Sequence, residues 1–183
     1  MASCVPSVSS GTWSDRALKG EVDAAYIAAR LVEEASRCHM HVSTAESCTA
    51  GMVASCIAGV PGASDVLLGG AVTYTDEIKH RVLGVSTDTL ARFSAVSREC
   101  ARELACGSRR LYSSSLAVSV TGYAGPGGGT AEDPVGTVYF GLASEQGIST
   151  WRASFAGSRR CVREAAAAFA LALLLDGVEG LRN

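Results

Sequence analysis

The chain has 183 residues, a formal net charge of −2 and a hydrophobic content of 48%, so it is long enough to enclose one hydrophobic core. Its near-neutral charge gives no basic field for nucleic acid, and we expect no nucleic-acid partner. The seven cysteines include no C-x-x-C pair, and their odd number argues against a disulfide framework. They indicate buried thiols in a reducing, cytoplasmic compartment.

The first residues differ from the rest of the chain. We expect residues 1–18 to form a loose tail and residues 19–183 to form the domain. Met1–Trp13 is rich in Ser and has no basic segment before an apolar run, so it does not match a secretory signal. Its shortage of acidic residues leaves organelle targeting open as the less favoured alternative. The longest apolar run, Ala165–Leu175, is too short to span a bilayer, and we expect no membrane partner.

Helices and strands alternate along the first two thirds of the chain. Apolar residues at helical spacing predict a helix over Glu21–Cys38. A short strand, a helix of small residues and a buried strand follow, and the pair Gly69-Gly70 favours a bulge in that second strand. Three helical segments come next. In chain order these elements are His41–Ala45, Thr49–Ala58, Val66–Tyr74, Asp76–Leu83, Thr87–Arg92 and Ser97–Leu111.

The last third of the chain closes the predicted sheet. Leu116–Val120 is a continuous apolar strand, and Gly122–Pro134 is a loop. Val135–Ala143 and Gly147–Phe155 predict a hairpin, and Ser158–Leu175 predicts the terminal helix. This order predicts an α/β fold, a three-layer α/β/α sandwich with a mixed sheet of about five strands.

Ser47 is the leading candidate for a nucleophile. It follows the first short strand and precedes the helix predicted over Thr49–Ala58, where free N–H groups favour negative charge. The amides of Cys48, Thr49 and Ala50 are therefore candidates for an oxyanion hole. Simple helix capping by Ser47, or anion binding without chemistry, stays open.

Other groups near Ser47 compete for a role. Cys48 is a rival nucleophile, because the helix start would lower the pKa of its thiol, but no His beside it in sequence could act as its base. Glu46 either orients the site or is simply an acid at a strand end. The three histidines His39, His41 and His80 lack zinc-like spacing, so we expect no metal.

Lys79 and Tyr74 are the candidates for proton transfer. The chain has fourteen arginines and two lysines, and Lys, unlike Arg, can lose its proton on burial. Lys79 and Ser47 each follow the carboxyl end of a predicted strand, the edge where open α/β sheets collect ligands. Tyr74 ends its strand, and its phenol would either relay a proton between them or hydrogen-bond the ammonium of Lys79. A solvated Lys paired with Asp76 or Glu77, and a plain strand-end aromatic, are the alternatives.

Two segments have the composition of anion-binding sites. Thr121–Thr130 is rich in glycine, which lets backbone N–H groups approach an anion, but its spacing is neither a dinucleotide fingerprint nor a P-loop. Gly157–Arg163 begins the last helix with three arginines, of which Arg159 and Arg163 would meet a phosphate. A plain flexible loop and a solvated basic helix start stay open.

Four segments in colinear order resemble the C-terminal domain of the CinA (competence/damage-inducible) proteins. They are Thr44–Gly51 (T-A-E-S-C-T-A-G), Val72–Tyr74 with Lys79, Ala95–Ser97, and Thr121–Pro126 through Pro134–Val138. The likeness extends from about Glu21 to Leu175. Stand-alone members of that family are nicotinamide-nucleotide amidases.

The resemblance implies a specific reaction. An α/β/α domain would hydrolyse nicotinamide mononucleotide, a small-molecule nucleotide, to nicotinic acid mononucleotide and ammonia, without a metal or other cofactor. Ser47 would be the nucleophile, working with Tyr74 and Lys79. The resemblance places substrate or phosphate contacts on Thr121, Gly122, Ala124, Gly125 and Arg159. The metal-dependent pyrophosphatase domain of longer relatives is not carried over.

This chain departs from the family pattern at Ala50, where A-E-S-C-T-G-G has glycine. The added Cβ lies where an oxyanion or phosphate would approach and would weaken the fit of the substrate. A non-catalytic nucleotide-binding module linked to DNA uptake or repair is therefore the second hypothesis, and a serine amidase for another amide is the third. The apolar surface of the small helices is compatible with a homodimer.

Overall fold

The computed structural model describes residues 11–182. The part of the predicted tail and targeting segment that falls on residues 1–10 lies outside the described residues. The elements are α1 Trp13–Leu18, α2 Ala24–Arg37, β1 Val42–Glu46, α3 Met52–Ala58, a 3₁₀ turn Ala63–Asp65, β2 Leu67–Val72, α4 Asp76–Leu83, α5 Thr87–Phe93, α6 Arg98–Tyr112, β3 Leu116–Gly122, β4 Thr137–Ser144, β5 Gly147–Ser154 and α7 Arg159–Leu181.

The five strands form one mixed sheet in the order β2-β1-β3-β4-β5. β1 pairs in parallel with β2 and β3, and β4 pairs antiparallel with β3 and β5. The predicted α/β class and mixed five-stranded sheet are confirmed. The prediction that β2 is buried is wrong, because β2 lies at the sheet edge and exposes Leu68 and Val72. Its register shifts by one residue just before Gly69, beside the predicted bulge.

Helices cover both faces of the sheet. α2, α3 and α7 pack on one face, where a large cluster includes Leu31, Val118 and Phe169. α4 and α6 cover the other face, where a smaller cluster of buried residues consists of Ala45, Ala71, Leu83, Val85, Cys100 and Leu104. These two cores fix which side chains of each strand point to which layer, because successive strand residues alternate between faces.

The tail prediction is wrong for its described part. Residues 13–18 form the helix α1, which begins with a reciprocal capping box between Thr12 and Asp15. The backbone amides of Trp13 and Ser14 donate to the carboxylate of Asp176 on α7, at 2.8 and 3.0 Å. The partner lies more than 160 positions away in sequence, so local composition could not reveal the contact.

The terminal helix α7 is longer than predicted and begins after Ser158, whose hydroxyl accepts from the amide of Cys161. Its middle turns are buried nearly all round, which explains the continuous apolar run. Within residues 11–182, no helix has both the length and the apolar character that a bilayer crossing requires.

Candidate active site

Ser47 lies at the carboxyl edge of the sheet, one residue beyond β1. Its amide donates to the carbonyl of Val120 on β3, at 2.9 Å, and the amide of Thr73 donates to the carbonyl of Glu46, at 2.8 Å. These two bonds extend the parallel pairing past the ends of β1 and β2. Ser47 and Thr73 therefore stand side by side, together with Thr121 of β3.

The strand alternation decides which face these hydroxyl residues share. Ala45 and Ala71 contact the cluster under α4 and α6, and Ser47 and Thr73 follow them by two positions each. Two positions along a strand return the side chain to the same face. The side chains of Ser47 and Thr73 therefore point to the α4 and α6 layer.

Lys79 comes from α4 and belongs to that same layer. Its side chain is almost completely buried, with 1% of the residue exposed, so the solvated surface lysine is excluded. The Nζ atom lies 3.5 Å from the carbonyl oxygen of Tyr74 and 3.9 Å from the carboxylate of Asp76. No hydrogen bond joins Ser47 to Lys79 in the described part of the chain.

Burial also controls the charge of Lys79. Loss of solvation lowers the pKa of its amine, and the nearby Cys100, Asp76 and Cys48 oppose that effect only in part. A lowered pKa increases the fraction of neutral amine at a given pH, and a neutral amine is what a general base requires.

Ser47 does not cap a helix, contrary to the simpler alternative. α3 begins at Met52 rather than Thr49, and its N-cap is Gly51 in the left-handed region. Residues 47–51 form a turn in which the amide of Ala50 donates to the carbonyl of Ser47, at 3.1 Å. This bond occupies the Ala50 amide, so the oxyanion prediction is wrong for Ala50, while Cys48 and Thr49 remain candidates.

Glu46 fills the amino end of α3. Its carboxylate is buried and accepts from the amides of Gly51, Val53 and Ala54, at 2.9, 3.1 and 2.9 Å. A protein carboxylate thus occupies the position that the helix start was expected to offer to a substrate anion. The Glu46 side chain, from the preceding strand, thus satisfies amides at the start of this helix, whose N-cap residue is Gly51.

Cys48 is not an activated thiol. The residue is 6% exposed, and burial raises the pKa of its thiol to about 11, against the weaker opposing effect of Arg163. The expectation of a lowered pKa is wrong because the side chain turns into the core beneath α7 instead of facing the helix start. At neutral pH Cys48 is protonated and a poor nucleophile.

Arg163 holds the turn after Ser47. Its Nε and Nη2 atoms donate to the carbonyls of Cys48 and Thr49, both at 2.9 Å. The sequence predicted that Arg163 would contact a phosphate, but in the structure these two nitrogens donate to backbone carbonyls. The role was missed because the partner turn lies 114 positions earlier.

Tyr74 and Arg159 meet on the opposite face of the sheet edge. Arg159 donates through Nη2 to the phenol oxygen of Tyr74 and through Nη1 to the carbonyl of Gly125, both at 2.8 Å. Tyr74 follows Thr73 by one position, so its side chain points to the α7 layer. Its phenol therefore accepts from Arg159 and makes no hydrogen bond with Ser47 or Lys79.

Three of the predicted substrate contacts in the glycine-rich loop have packing roles. The buried Thr121 donates its hydroxyl to the carbonyl of Ala95, at 2.7 Å. A Cβ on Gly122 would lie 2.6 Å from a backbone oxygen of Thr137, so close strand packing requires the glycine. Ala124 is 3% exposed. As substrate contacts these residues stay a prediction, together with Gly125 and Arg159.

The site is thus built from single residues that five elements bring to one sheet edge. No group of three or more His, Cys, Asp or Glu side chains within residues 11–182 is arranged to hold a metal ion. The arrangement offers a hydroxyl, a buried amine on the same face, backbone amides in the turn, and an exposed guanidinium beyond the edge. These groups are sufficient for acyl transfer to a serine.

Comparison with known proteins agrees with this architecture. The model of the CinA C-terminal domain family matches residues 24–178. The chain is 47% identical over 155 residues to a CinA-like protein of Myxococcus xanthus, covering 84% of this chain and 37% of the relative. It is 43% identical over 145 residues to a CinA-like protein of Thermotoga neapolitana, covering 79% and 35%. The chain spans about a third of the length of these curated relatives.

Solved structures resemble the whole domain. The competence/damage-inducible protein CihA from Agrobacterium tumefaciens superposes with a TM-score of 0.83 at 38% identity, covering 86% of this chain and 96% of the other. A CinA superfamily protein from Klebsiella pneumoniae gives a TM-score of 0.83 at 33% identity, covering 87% and 99%.

Proposed function

This chain belongs to the CinA C-terminal domain family, and from that premise we propose that it is an amidohydrolase that converts nicotinamide mononucleotide to nicotinic acid mononucleotide and ammonia. The observation that carries the proposal is the buried amine of Lys79 on the same sheet face and edge as Ser47. A lysine buried this deeply, whose ion pair with the exposed Asp76 spans 3.9 Å, is costly to the fold and is typical of functional sites.

Acyl transfer to Ser47 is the first half of the proposed reaction. Neutral Lys79 takes the proton of the Ser47 hydroxyl, and the Ser47 oxygen attacks the carboxamide carbon of the substrate. The amides of Cys48 and Thr49 then donate to the oxyanion that develops on the carbonyl oxygen. Arg163 supports this step indirectly, because it fixes the carbonyls of the two residues that supply those amides.

Release of ammonia and hydrolysis complete the reaction. Lys79 returns its proton to the leaving nitrogen, and ammonia departs from the acyl-enzyme. A water molecule, deprotonated by the neutral amine, then attacks the acyl carbon and frees Ser47. The positive charge of the pyridinium ring favours the neutral form of Lys79 while the substrate is bound.

Substrate binding rests on Arg159 in this proposal. The Arg159 guanidinium is exposed and already fixed by Tyr74 and Gly125, and its remaining N–H groups would bind the 5′-phosphate. Tyr74 then orients Arg159 and is not the proton relay. The proposal includes a cytoplasmic location and a homodimer, and it includes no cofactor, nucleic acid or membrane partner.

A binding module without catalysis is the second candidate function. The missing hydrogen bond between Ser47 and Lys79, together with the strained Ala50 in the adjoining turn, favours it. Such a module would retain nicotinamide mononucleotide through Arg159 but release no ammonia. Isothermal titration with this nucleotide, run beside an ammonia assay on the same sample, separates the two functions.

Ammonia release from nicotinamide mononucleotide tests the enzyme directly. We expect Ser47→Ala to lower kcat by about 10³-fold or more and Lys79→Arg by about 100-fold, because each removes a group of the acylation step. The matched control is Cys48→Ala, which removes the neighbouring thiol and should keep kcat within about threefold. Full turnover by Ser47→Ala, with a native circular dichroism spectrum, would exclude the proposed function.

A further inference from the structure

A charged cluster on the β4–β5 hairpin has no part in the reaction proposed above. The carboxylate of Asp133 accepts from Nε of Arg152, at 2.8 Å, and from the phenol of Tyr139, at 3.0 and 3.1 Å. Nη2 of Arg152 also donates to the carbonyl of Glu132, at 2.9 Å. Tyr139 and Arg152 pair across β4 and β5, so regular sheet structure supports both donors. We call Asp133, Tyr139 and Arg152 the Asp133 clamp.

The backbone around Asp133 closes the glycine-rich loop. The amide of Asp133 donates to the hydroxyl of Thr130, at 2.9 Å, and its carbonyl accepts from the amide of Thr130, at 2.8 Å. Three residues later, the amide of Gly136 donates to the carbonyl of Tyr123, at 2.7 Å. The segment from Asp133 to Gly136 therefore binds both the first and the last part of the loop.

Two glycines of the loop lie directly against the same segment. A Cβ on Gly125 would lie 2.7 Å from Cγ1 of Val135, and a Cβ on Gly129 would lie 2.8 Å from the backbone nitrogen of Val135. The carbonyl of Gly125 in turn accepts from Nη1 of Arg159, at 2.8 Å. A continuous series of contacts thus extends from the carboxylate of Asp133, through the loop, to the guanidinium of Arg159.

The loop carries this connection across the end of the sheet. Phe140 packs in the cluster beneath α7, so the neighbouring Tyr139 points to the α6 layer. Arg159 begins α7, on the other face. The loop between them has four glycines in five positions, Gly125 and Gly127–Gly129. Such a segment has many conformations open to it, and contacts at its ends are needed to keep it in one of them.

We propose that Asp133 is a positioning residue for substrate binding, because the Asp133 clamp orders the glycine-rich loop and so keeps the Gly125 carbonyl and the Arg159 guanidinium in place to bind a phosphate group. The inference rests on the proposed role of Arg159 toward the 5′-phosphate. Asp133 acts through the loop and not on the reacting atoms. Without the clamp, substrate binding has to order the loop as well, while the acylation step at Ser47 is unaffected.

The steady-state kinetics of ammonia release test this role. We expect Asp133→Ala to raise KM for nicotinamide mononucleotide about 10-fold and to keep kcat within about threefold. Tyr139→Phe and Arg152→Ala each remove one donor and should raise KM by a smaller factor. Asp133→Asn keeps an acceptor oxygen and should raise KM by no more than about threefold. The matched control is Asp88→Ala, which removes an exposed carboxylate paired with Arg92 and should leave KM unchanged.

A second readout needs no substrate. Phenylglyoxal adds to both Nη atoms of an arginine, and those of Arg159 are held by Gly125 and Tyr74. Arg160 is exposed and adjacent, so it serves as an internal reference for the reagent. We expect Asp133→Ala to label Arg159 about fivefold faster than the wild type, relative to Arg160, as measured by peptide mass. The control variant should label as the wild type does.

The two readouts separate this inference from the proposed function. If the wild type releases no ammonia but Arg159 labels faster in Asp133→Ala, the proposed substrate falls and the positioning of Arg159 by the clamp stands. Equal labelling of Arg159 in the wild type and in Asp133→Ala overturns the positioning, whatever the activity. Faster labelling with an unchanged KM, in an enzyme that turns over, overturns the link to substrate binding. If Asp133→Ala fails to fold, Tyr139→Phe, which loses only the phenol oxygen, decides in the same way.

Discussion

At the scale of single residues, Lys79 sets the chemistry of the site. Its place in the sequence, after a strand end and in a chain that otherwise uses arginine, was enough to select it. Its burial and its distance from Asp76 could not be predicted, since they depend on how α4 packs against α6. The orientation of Tyr74 was also not predicted. Its phenol points to the α7 face, away from Lys79, because successive strand residues alternate between faces.

The lowered pKa of Lys79 predicts the pH dependence of activity. The base is the neutral amine, so kcat should rise with pH through the pKa of Lys79, which burial holds below the ordinary lysine value. A kcat profile from about pH 5.5 to 10 measures this limb. A profile that falls as pH rises through this range would show that the protonated amine is the active form.

The backbone conformation of Ala50 leads us to expect that replacement by glycine stabilises the protein. It adopts a φ of +52°, in the left-handed region that glycine tolerates best. Ala50→Gly should raise the free energy of unfolding by about 1 kcal/mol, measured by urea denaturation. Ala54→Gly, within the helix α3, is the control and should lower it by about 1 kcal/mol. Destabilisation by Ala50→Gly would mean that the strain of the turn is compensated by packing of the methyl group.

At the scale of elements, the turn from Ser47 to Gly51 joins β1 to α3 and is held from both sides. The Glu46 carboxylate binds the amide end of α3, and Arg163 binds the carbonyls of the turn from α7. The sequence predicted the strand and the helix, but it started the helix three residues early. The capping side chain belongs to the preceding strand, so the usual Ser signal at position 47 was misleading.

We expect substitution of Arg163 to lower both the free energy of unfolding and kcat. Arg163→Lys keeps the charge, but an ammonium cannot bridge two carbonyls as the planar guanidinium does. We expect the free energy of unfolding to fall by about 1–3 kcal/mol and kcat to fall about 10-fold, because the amides of the turn lose their fixed orientation.

The control for this change lies three positions away on the same helix. Arg160 is exposed and bonds Glu164 one turn further on, so Arg160→Lys should change stability by no more than about 0.5 kcal/mol and leave kcat unchanged. Equal effects of the two substitutions would contradict a specific role for Arg163.

At the scale of the whole molecule, the order of helices and strands was sufficient to predict the layers and the mixed sheet. Long strands and helices with clear periodicity, such as α2 and α6, carry their own signal. The edge position of β2 and the docking of α1 were not predictable, because both depend on pairings between distant parts of the chain.

Because α1 docks far from the candidate site, we expect its removal to lower the stability of the protein without changing its activity. Asp176, which binds α1, lies roughly 25 Å along α7 from Arg159, at 1.5 Å per residue. Removal of residues 1–18 should lower the free energy of unfolding by about 1–3 kcal/mol, because it exposes the apolar surface under Trp13. The rate of ammonia release should stay the same below the unfolding temperature. Loss of kcat in the folded, shortened chain would show that α1 acts on the site.

The depth of Lys79 has a practical consequence for labelling this protein. Of its two lysines, Lys79 is enclosed and Lys19 is exposed at the end of α1. Amine-directed coupling reagents therefore meet one accessible lysine side chain, on the layer that carries α1. A dye or surface linker attached there leaves the serine and its surroundings unmodified, and attachment at Lys79 reports local opening of α4.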